Sequence, residues 1–218
     1  MKIVVLCCAL LFAAAFAFGQ TGVIKEITGT VELKAPGATS WKPASVGMVI
    51  TKNTLISTGF RSTALVGLGN SLLTVQALTR LSLEEIALSQ GNEKIGLALQ
   101  TGRVRANVMP PSGGRTDFTV RSPTATASVR GTTFVFDANS VSVSGGLVTF
   151  AGANGLPVAV AAGESSAVMW RGTAAAPVGA ETAPPSPVGA SEGAITTLVT
   201  STPIPSIPYG AVRAGFTW

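Results

Sequence analysis

Short extended segments closed by turn residues follow one another from Gly22 onwards, at a spacing of about eight to twelve residues. A segment such as Lys94–Gln100 carries apolar residues at every second position, which is the period of a half-buried strand. Glycine, proline or asparagine ends most of these segments, and all three favour turns. Many short strands at this spacing are typical of sandwiches, barrels and rolls. The sequence therefore predicts an all-β fold, a quasi-repetitive β-roll or β-sandwich without a repeat of fixed length.

One segment leaves the choice between helix and strand open. Leu81, Leu83 and Ile86 are spaced so that they suit the start of a helix, and the intervening Glu84-Glu85 favours helix as well. The alternation that precedes them favours a strand. We predict a strand here.

The N-terminal residues have the pattern of a secretory signal peptide. Lys2 supplies a positive charge, Ile3–Phe18 is an uncharged apolar run, and Ala17-Phe18-Gly19 places small residues at a cleavage site. The alternative is an uncleaved anchor, but the run of about 16 residues is shorter than the roughly 20 that a spanning helix needs. We expect a mature chain that begins at Gln20 and crosses the inner membrane to the periplasm or the cell surface.

The composition argues against the commonest catalytic chemistries. The chain has no histidine, and its two cysteines, Cys7 and Cys8, lie inside the predicted signal peptide. A Ser–His–Asp arrangement is therefore impossible, and thiolate chemistry is not expected in the mature chain. Acids are few and show no calcium-loop spacing. We predict a protein that is not an enzyme and takes no cofactor or metal. A carbohydrate-active enzyme acting through Glu84 or Glu164 is the remote alternative.

Three regions follow from these patterns: a signal peptide at 1–19, a β domain at 20–170, and a tail rich in proline and alanine at 171–218. The tail includes Pro184-Pro185-Ser186-Pro187, which favours an extended polyproline conformation. Ile195, Leu198 and Val199 would suffice for one strand that docks on the core. The aromatic end, Gly215–Trp218, is either such a docking element or a recognition peptide for a partner.

The basic residues of the chain are scattered and are not interleaved with aromatic residues. A nucleic-acid interface would show a basic patch or stripe, so no nucleic-acid partner is expected. Most of these cations are expected to lie on solvated strand faces, and a weak attraction to anionic envelope polymers is the alternative.

A series of short motifs carries a family resemblance. Arg121-Ser122-Pro123-Thr124-Ala125 is followed by Val129-Arg130-Gly131-Thr132, then by Gly145-Gly146-Leu147-Val148 and Ala162-Gly163-Glu164. In this order, over roughly Gly29 to Ala167, the chain resembles the FecR-like domain, which is named after the iron-dicitrate sensor of bacterial envelopes. The resemblance implies a non-enzymatic envelope module with the predicted all-β fold.

The resemblance implies structural roles for seven motif residues, which are Arg121, Pro123, Arg130, Gly131, Thr132, Gly145 and Gly163. Gly131 is expected to adopt a positive φ or to allow a close backbone approach before a buried strand. Arg130 is expected to donate hydrogen bonds to the carbonyls of a neighbouring turn. The alternatives for Arg130 are a plain surface cation or a ligand contact.

We therefore expect an exported FecR-like module that binds or scaffolds in the cell envelope, with a protein or a glycan as its partner. The alternative is a periplasmic sensory component that relays a signal to a separate membrane protein. Sensors of the resembled family carry a cytosolic sigma-factor-regulating segment and a membrane helix before the domain. Here a signal peptide is predicted in that place, so the resemblance implies the fold and the compartment without the whole signalling mechanism.

Overall fold

The computed structural model describes residues 21–169 and 172–179, which form strands and turns without a helix. The predicted signal peptide and the tail from residue 180 onwards lie outside the described residues. In chain order the strands are β1 Gly22–Thr28, β2 Val31–Lys34, β3 Lys42–Pro43, β4 Val49–Ile50, β5 Leu55–Thr58, β6 Thr63–Leu68, β7 Ser71–Val75, β8 Arg80–Ser89, β9 Asn92–Thr101, β10 Arg103–Asn107, β11 Thr116–Arg121, β12 Ala125–Val129, β13 Thr133–Asp137, β14 Ser140–Gly145, β15 Leu147–Gly152, β16 Val158–Ala161, β17 Glu164–Ala167 and β18 Val178–Gly179.

The strands form two nine-stranded sheets that enclose one core. The first sheet, sheet A, has the order β18-β17-β14-β13-β10-β7-β6-β1-β4, and the second, sheet B, has the order β16-β15-β12-β11-β9-β8-β5-β2-β3. The chain crosses repeatedly from one sheet to the other, and from β5 onwards each new strand is added on the same side of its sheet. This growth in chain order confirms the predicted all-β, quasi-repetitive sandwich.

Alternation along the strands decides which side chains enter the core. Ile95, Leu97 and Leu99 of β9 are buried, and so are Val104 and Ala106 of β10, as their period of two predicts. Four phenylalanines pair across the two sheets. Phe118 meets Phe134 edge-to-face at 6.2 Å, and Phe136 meets Phe150 at 6.4 Å. These pairs join β11 and β15 of sheet B to β13 of sheet A, in the geometry that aromatic rings prefer.

The segment around Leu81–Ile86, for which the sequence allowed either a helix or a strand, forms the strand β8. This strand pairs along its whole length with β9. Irregularities between Arg80 and Leu81, and between Leu83 and Glu85, shift its register. These bulges interrupt the strict alternation, which explains the mixed signal in the sequence.

Sheet A also continues beyond residue 170, because the backbone of β18 pairs with β17. Such pairing needs no bulky side chain, so the small residues of this segment suffice.

Buried threonine hydroxyl groups connect the turns along one long edge of the sandwich. The Thr58 hydroxyl accepts a hydrogen bond from the Thr79 backbone N–H at 3.0 Å. The Thr79 hydroxyl accepts one from the Arg103 backbone N–H at 3.0 Å and donates to the Arg103 carbonyl at 3.1 Å. These two side chains, which we call the threonine clasp, link the turns before β6, β8 and β10 to one another.

On the opposite long edge, Glu93 of β9 is buried among polar groups. Its carboxylate accepts hydrogen bonds from the Thr116 hydroxyl and from the Asn70 backbone N–H, which belongs to the β6–β7 turn of sheet A. Burial raises the pKa of this carboxyl above its ordinary value, and the two hydrogen bonds counteract only part of that effect. None of the ion pairs among the described residues includes Glu93.

The raised pKa makes the stability of the domain depend on pH in a definite direction. Folding favours the protonated form of Glu93, because its pKa is higher in the folded state than in the unfolded state. The resulting contribution to the unfolding free energy is present in full below about pH 4.5, the ordinary pKa. It is lost as the pH rises through the folded-state pKa. We expect Glu93→Gln, which mimics the protonated form, to be at least as stable as the wild type at pH 7 and to lose this advantage at pH 4. Urea unfolding of both proteins at the two pH values measures this. A variant less stable than the wild type at pH 7 would contradict the account.

Candidate functional site

The outer surface of sheet B carries a group of exposed or half-buried polar side chains over strands β9, β11, β12 and β15, with the exposed Leu147 at its border. We call it the polar face and define it by Lys94, Asp117, Thr119, Arg121, Ser128, Arg130 and Thr149. A shallow depression of about 570 Å³ lies over most of it. A second depression of about 240 Å³ continues from it towards Arg121 and Lys52, and Lys94 and Thr119 line both.

Strand register aligns the hydroxyl groups of the polar face into one row. Thr119 of β11 lies opposite Ser128 of β12, and Ser128 lies opposite Thr149 of β15. The Thr119 and Ser128 hydroxyl oxygens are 3.5 Å apart. The row ends at Gly96, which pairs with Thr119 and has no side chain, and at Ala159, which pairs with Thr149. Its short side chains lose little entropy when a partner covers them.

Two ion pairs lie on one side of this hydroxyl row, since Asp117 is the cross-strand neighbour of Lys94. The Lys94 ammonium lies 3.0 Å from the Glu85 carboxylate, and the Arg130 guanidinium lies 3.4 Å from the Asp117 carboxylate. Both members of the Arg130–Asp117 pair are more than half exposed. Exposed pairs of this kind contribute about 0–1 kcal/mol to stability. The four charges are therefore free to change partners at little cost, which suits recognition better than scaffolding.

The sequence led us to expect that Arg130 donates to turn carbonyls, but the structure places it at the surface against Asp117. Arg121 lies on the same outer face, opposite Thr126 of β12, and is exposed. The structure thus brings two of the seven motif residues together on the polar face. Both offer planar donor groups that suit carboxylates, phosphates or carbonyl oxygens of a partner.

The glycine and threonine residues of the motif lie at one corner beside the polar face. Gly131 has φ of 151°, a conformation that other residues rarely adopt. Thr132 is buried, and its hydroxyl donates to the Leu147 carbonyl at 3.0 Å. Gly145 lies opposite Thr133 at a bulge between β13 and β14. Gly131 and Thr132 connect β12 of sheet B to β13 of sheet A and directly follow Arg130.

Gly163 lies in the turn between β16 and β17, where its N–H donates to the Val143 carbonyl at 2.8 Å. Pro123 lies at the far end of β11, in the exposed turn to β12. The neighbouring Ser122 hydroxyl accepts from the Ala125 N–H at 2.9 Å and donates to the Ala138 carbonyl at 2.6 Å. The Thr124 hydroxyl donates to the Asn139 side-chain oxygen at 2.8 Å. Ser122 and Thr124 therefore tie this turn to sheet A, a role that the sequence did not indicate.

The charged groups of the site do not form a metal centre. Within residues 21–169 and 172–179, no cluster of three or more histidine, cysteine, aspartate or glutamate side chains is placed to hold a metal ion. The same residues contain no helix with the length and apolar character to cross a membrane. What the polar face offers chemically is a row of hydroxyl groups beside exchangeable charges.

Comparison with known proteins identifies the central part of the chain. The family model described as FecR protein matches residues 54–153. No curated protein matches the chain. All seven residues of the polar face, and six of the seven motif residues, fall inside the matched range.

Two solved structures of a candidate anti-sigma factor from Parabacteroides distasonis ATCC 8503 are similar to this chain. Each is 20% identical in sequence and covers 57% of this chain, with TM-scores of 0.47 and 0.46. The match spans 59% of each solved chain, so it leaves about two fifths of that protein without a counterpart here.

Proposed function

We propose that this chain, whose residues 54–153 match the FecR protein family, is an exported, non-enzymatic protein that binds a partner in the cell envelope through the polar face. The observation that carries the proposal is the hydroxyl row of Thr119, Ser128 and Thr149 beside two exposed ion pairs. Such a surface contributes little to folding and offers many hydrogen-bonding groups to a protein or a glycan.

Charge reversal on the polar face tests this proposal. We expect the double variant Lys94→Glu, Arg130→Glu to lose the partner that the wild-type chain retains from an envelope extract, because both cations would become repulsive to the groups they recognise. Each lost ion pair is expected to cost about 0–1 kcal/mol of unfolding free energy, and the new like-charge contacts with Glu85 and Asp117 are expected to add a similar amount, which leaves the domain folded. Measurement of both quantities separates binding from folding.

A matched control changes the same number of charges on the outer surface of sheet A. Lys25 and Arg105 are exposed there, so Lys25→Glu, Arg105→Glu is expected to retain the partner. Equal loss of binding in both double variants would show that only net charge matters. That result would refute the polar face as the specific site.

Export is part of the proposal and rests on the pattern of residues 1–19. N-terminal sequencing of the protein from cell fractions should return a chain that starts at Gln20, outside the cytoplasm. An intact Met1 in a cytosolic pool would contradict export.

The FecR match also supports a second candidate function, in which this chain relays a signal to a separate membrane protein. The same extract experiment distinguishes the two. An integral membrane protein retained through the polar face favours the relay, and a glycan or a peripheral protein favours the binding module.

A further inference from the structure

Two large apolar side chains stand exposed on neighbouring turns, away from the polar face. Phe60, in the turn between β5 and β6, is 72% exposed, and Leu78, in the turn between β7 and β8, is 60% exposed. The Leu78 N–H donates to the Gly59 carbonyl at 3.1 Å, so the two turns form one unit. We call Phe60, Arg61 and Leu78 the apolar tip. From it we infer a second interaction surface, which docks on an anionic lipid bilayer.

The backbone of the tip gives the first reason to assign it a function. Leu78 has φ of 56° and Arg61 has φ of 51°, both in the left-handed region. Glycine or asparagine would fit these positions with less strain. An exposed leucine in this conformation has an unfavourable backbone geometry and buries little apolar surface, so folding does not explain its presence. Strained positions of this kind concentrate at binding sites.

The charges around the tip indicate which partner it suits. The Arg61 guanidinium lies 5.4 Å from the centre of the Phe60 ring and takes part in none of the ion pairs among the described residues. Arg80 follows Leu78 by two residues and lies over the ring of Trp41. Asp137, which lines the same groove as Leu78, already pairs with Arg103. Apolar side chains flanked by cations are the composition of surfaces that bind anionic membranes.

The exposure of both apolar side chains suits a bilayer interface. Beside the tip lies a groove of about 410 Å³ in which Gln76, Thr101 and Arg103 line one continuous surface with Leu78. Insertion of Phe60 into the acyl boundary would leave the adjacent Arg61 guanidinium available to lipid phosphates. A bilayer interface accommodates such a tip because apolar groups enter it by about 5–10 Å.

Local hydrogen exchange on the full chain tests the inference, because the apolar run Ile3–Phe18 would itself partition into vesicles and obscure a bulk binding assay. The probe is a vesicle of equal parts phosphatidylglycerol and phosphatidylcholine, compared with phosphatidylcholine alone. We expect the backbone amides of 59–61 and 77–79 to exchange more slowly on the anionic vesicles only. The double variant Phe60→Asn, Leu78→Asn is expected to lose this protection. Asparagine tolerates the positive φ at Leu78, and Phe60 is an exposed side chain.

Leu156→Asn supplies the matched control, since Leu156 is 87% exposed in the turn before β16, near the opposite end of both sheets. This variant should retain the protection at the tip. Unchanged exchange at 59–61 and 77–79 would overturn the inference and leave a protein pocket as the occupant of the tip. Equal protection on neutral vesicles, or in the double variant, would overturn it as well.

Discussion

Gly102→Ala is expected to lower the free energy of unfolding by about 3 kcal/mol or more. Gly102 has φ of 92° in the turn between β9 and β10. A Cβ atom there would lie 2.5 Å from the Thr79 Cα and 2.7 Å from the Leu78 carbonyl oxygen. Both are backbone atoms of the neighbouring turn between β7 and β8, so neither can move aside without disturbing the threonine clasp. Urea unfolding of the two proteins gives the difference directly.

Gly37→Ala is the matched control for this prediction. Gly37 also has a positive φ, of 73°, but no atom lies within 4 Å of the position of its Cβ. The substitution should therefore incur only the backbone penalty, about 1–2 kcal/mol. If both variants lost the same free energy, the close approach of the two turns at Gly102 would be refuted.

Thr79→Val is expected to lower the unfolding free energy by about 2–3 kcal/mol, although valine has the same shape. Thr79 is buried, and its hydroxyl accepts a hydrogen bond from the Arg103 N–H and donates one to the Arg103 carbonyl. Valine would leave the Arg103 N–H without this acceptor, and an unsatisfied buried donor costs about 1–3 kcal/mol. Thermal and urea unfolding check the value.

Thr119→Val is the matched control, because the Thr119 hydroxyl faces outward on the polar face and has only Ser128 beside it, at 3.5 Å. We expect its unfolding free energy to stay within about 0.5 kcal/mol of the wild type. A loss at Thr119 equal to that at Thr79 would mean that the polar face serves folding, which contradicts its assignment to binding.

Much of the core could be predicted from the sequence, because alternation in a strand depends only on local spacing. Polar residues in phase with an apolar set also signal burial. Glu93 precedes Ile95 and Leu97 by even steps, and Thr132 does the same before Phe134 and Phe136. All of these residues are buried. The alternating positions of Glu93 and Thr132 therefore predict their burial, although their polarity alone suggested solvent exposure.

The polar face could not be predicted in the same way. Its hydroxyl row depends on the register between β11 and β12, and its link to Lys94 depends on the parallel pairing of β9 with β11. The chain visits sheet A as β10 between those two strands, so no local pattern reveals that they are neighbours. For the same reason the sequence motif suggested turn carbonyls for Arg130, whereas Asp117 becomes its partner only after β11 and β12 pair.

Photo-crosslinking in living cells tests the central claim, that the polar face of this FecR domain is its binding surface. A photoreactive amino acid replaces Ser128 on the outer surface of sheet B or, in a matched chain, Ser142 on the outer surface of sheet A. We predict an adduct of the chain with an envelope protein or glycan from position 128 and none from position 142. Adducts of equal yield from both positions, or from position 142 alone, would contradict the account.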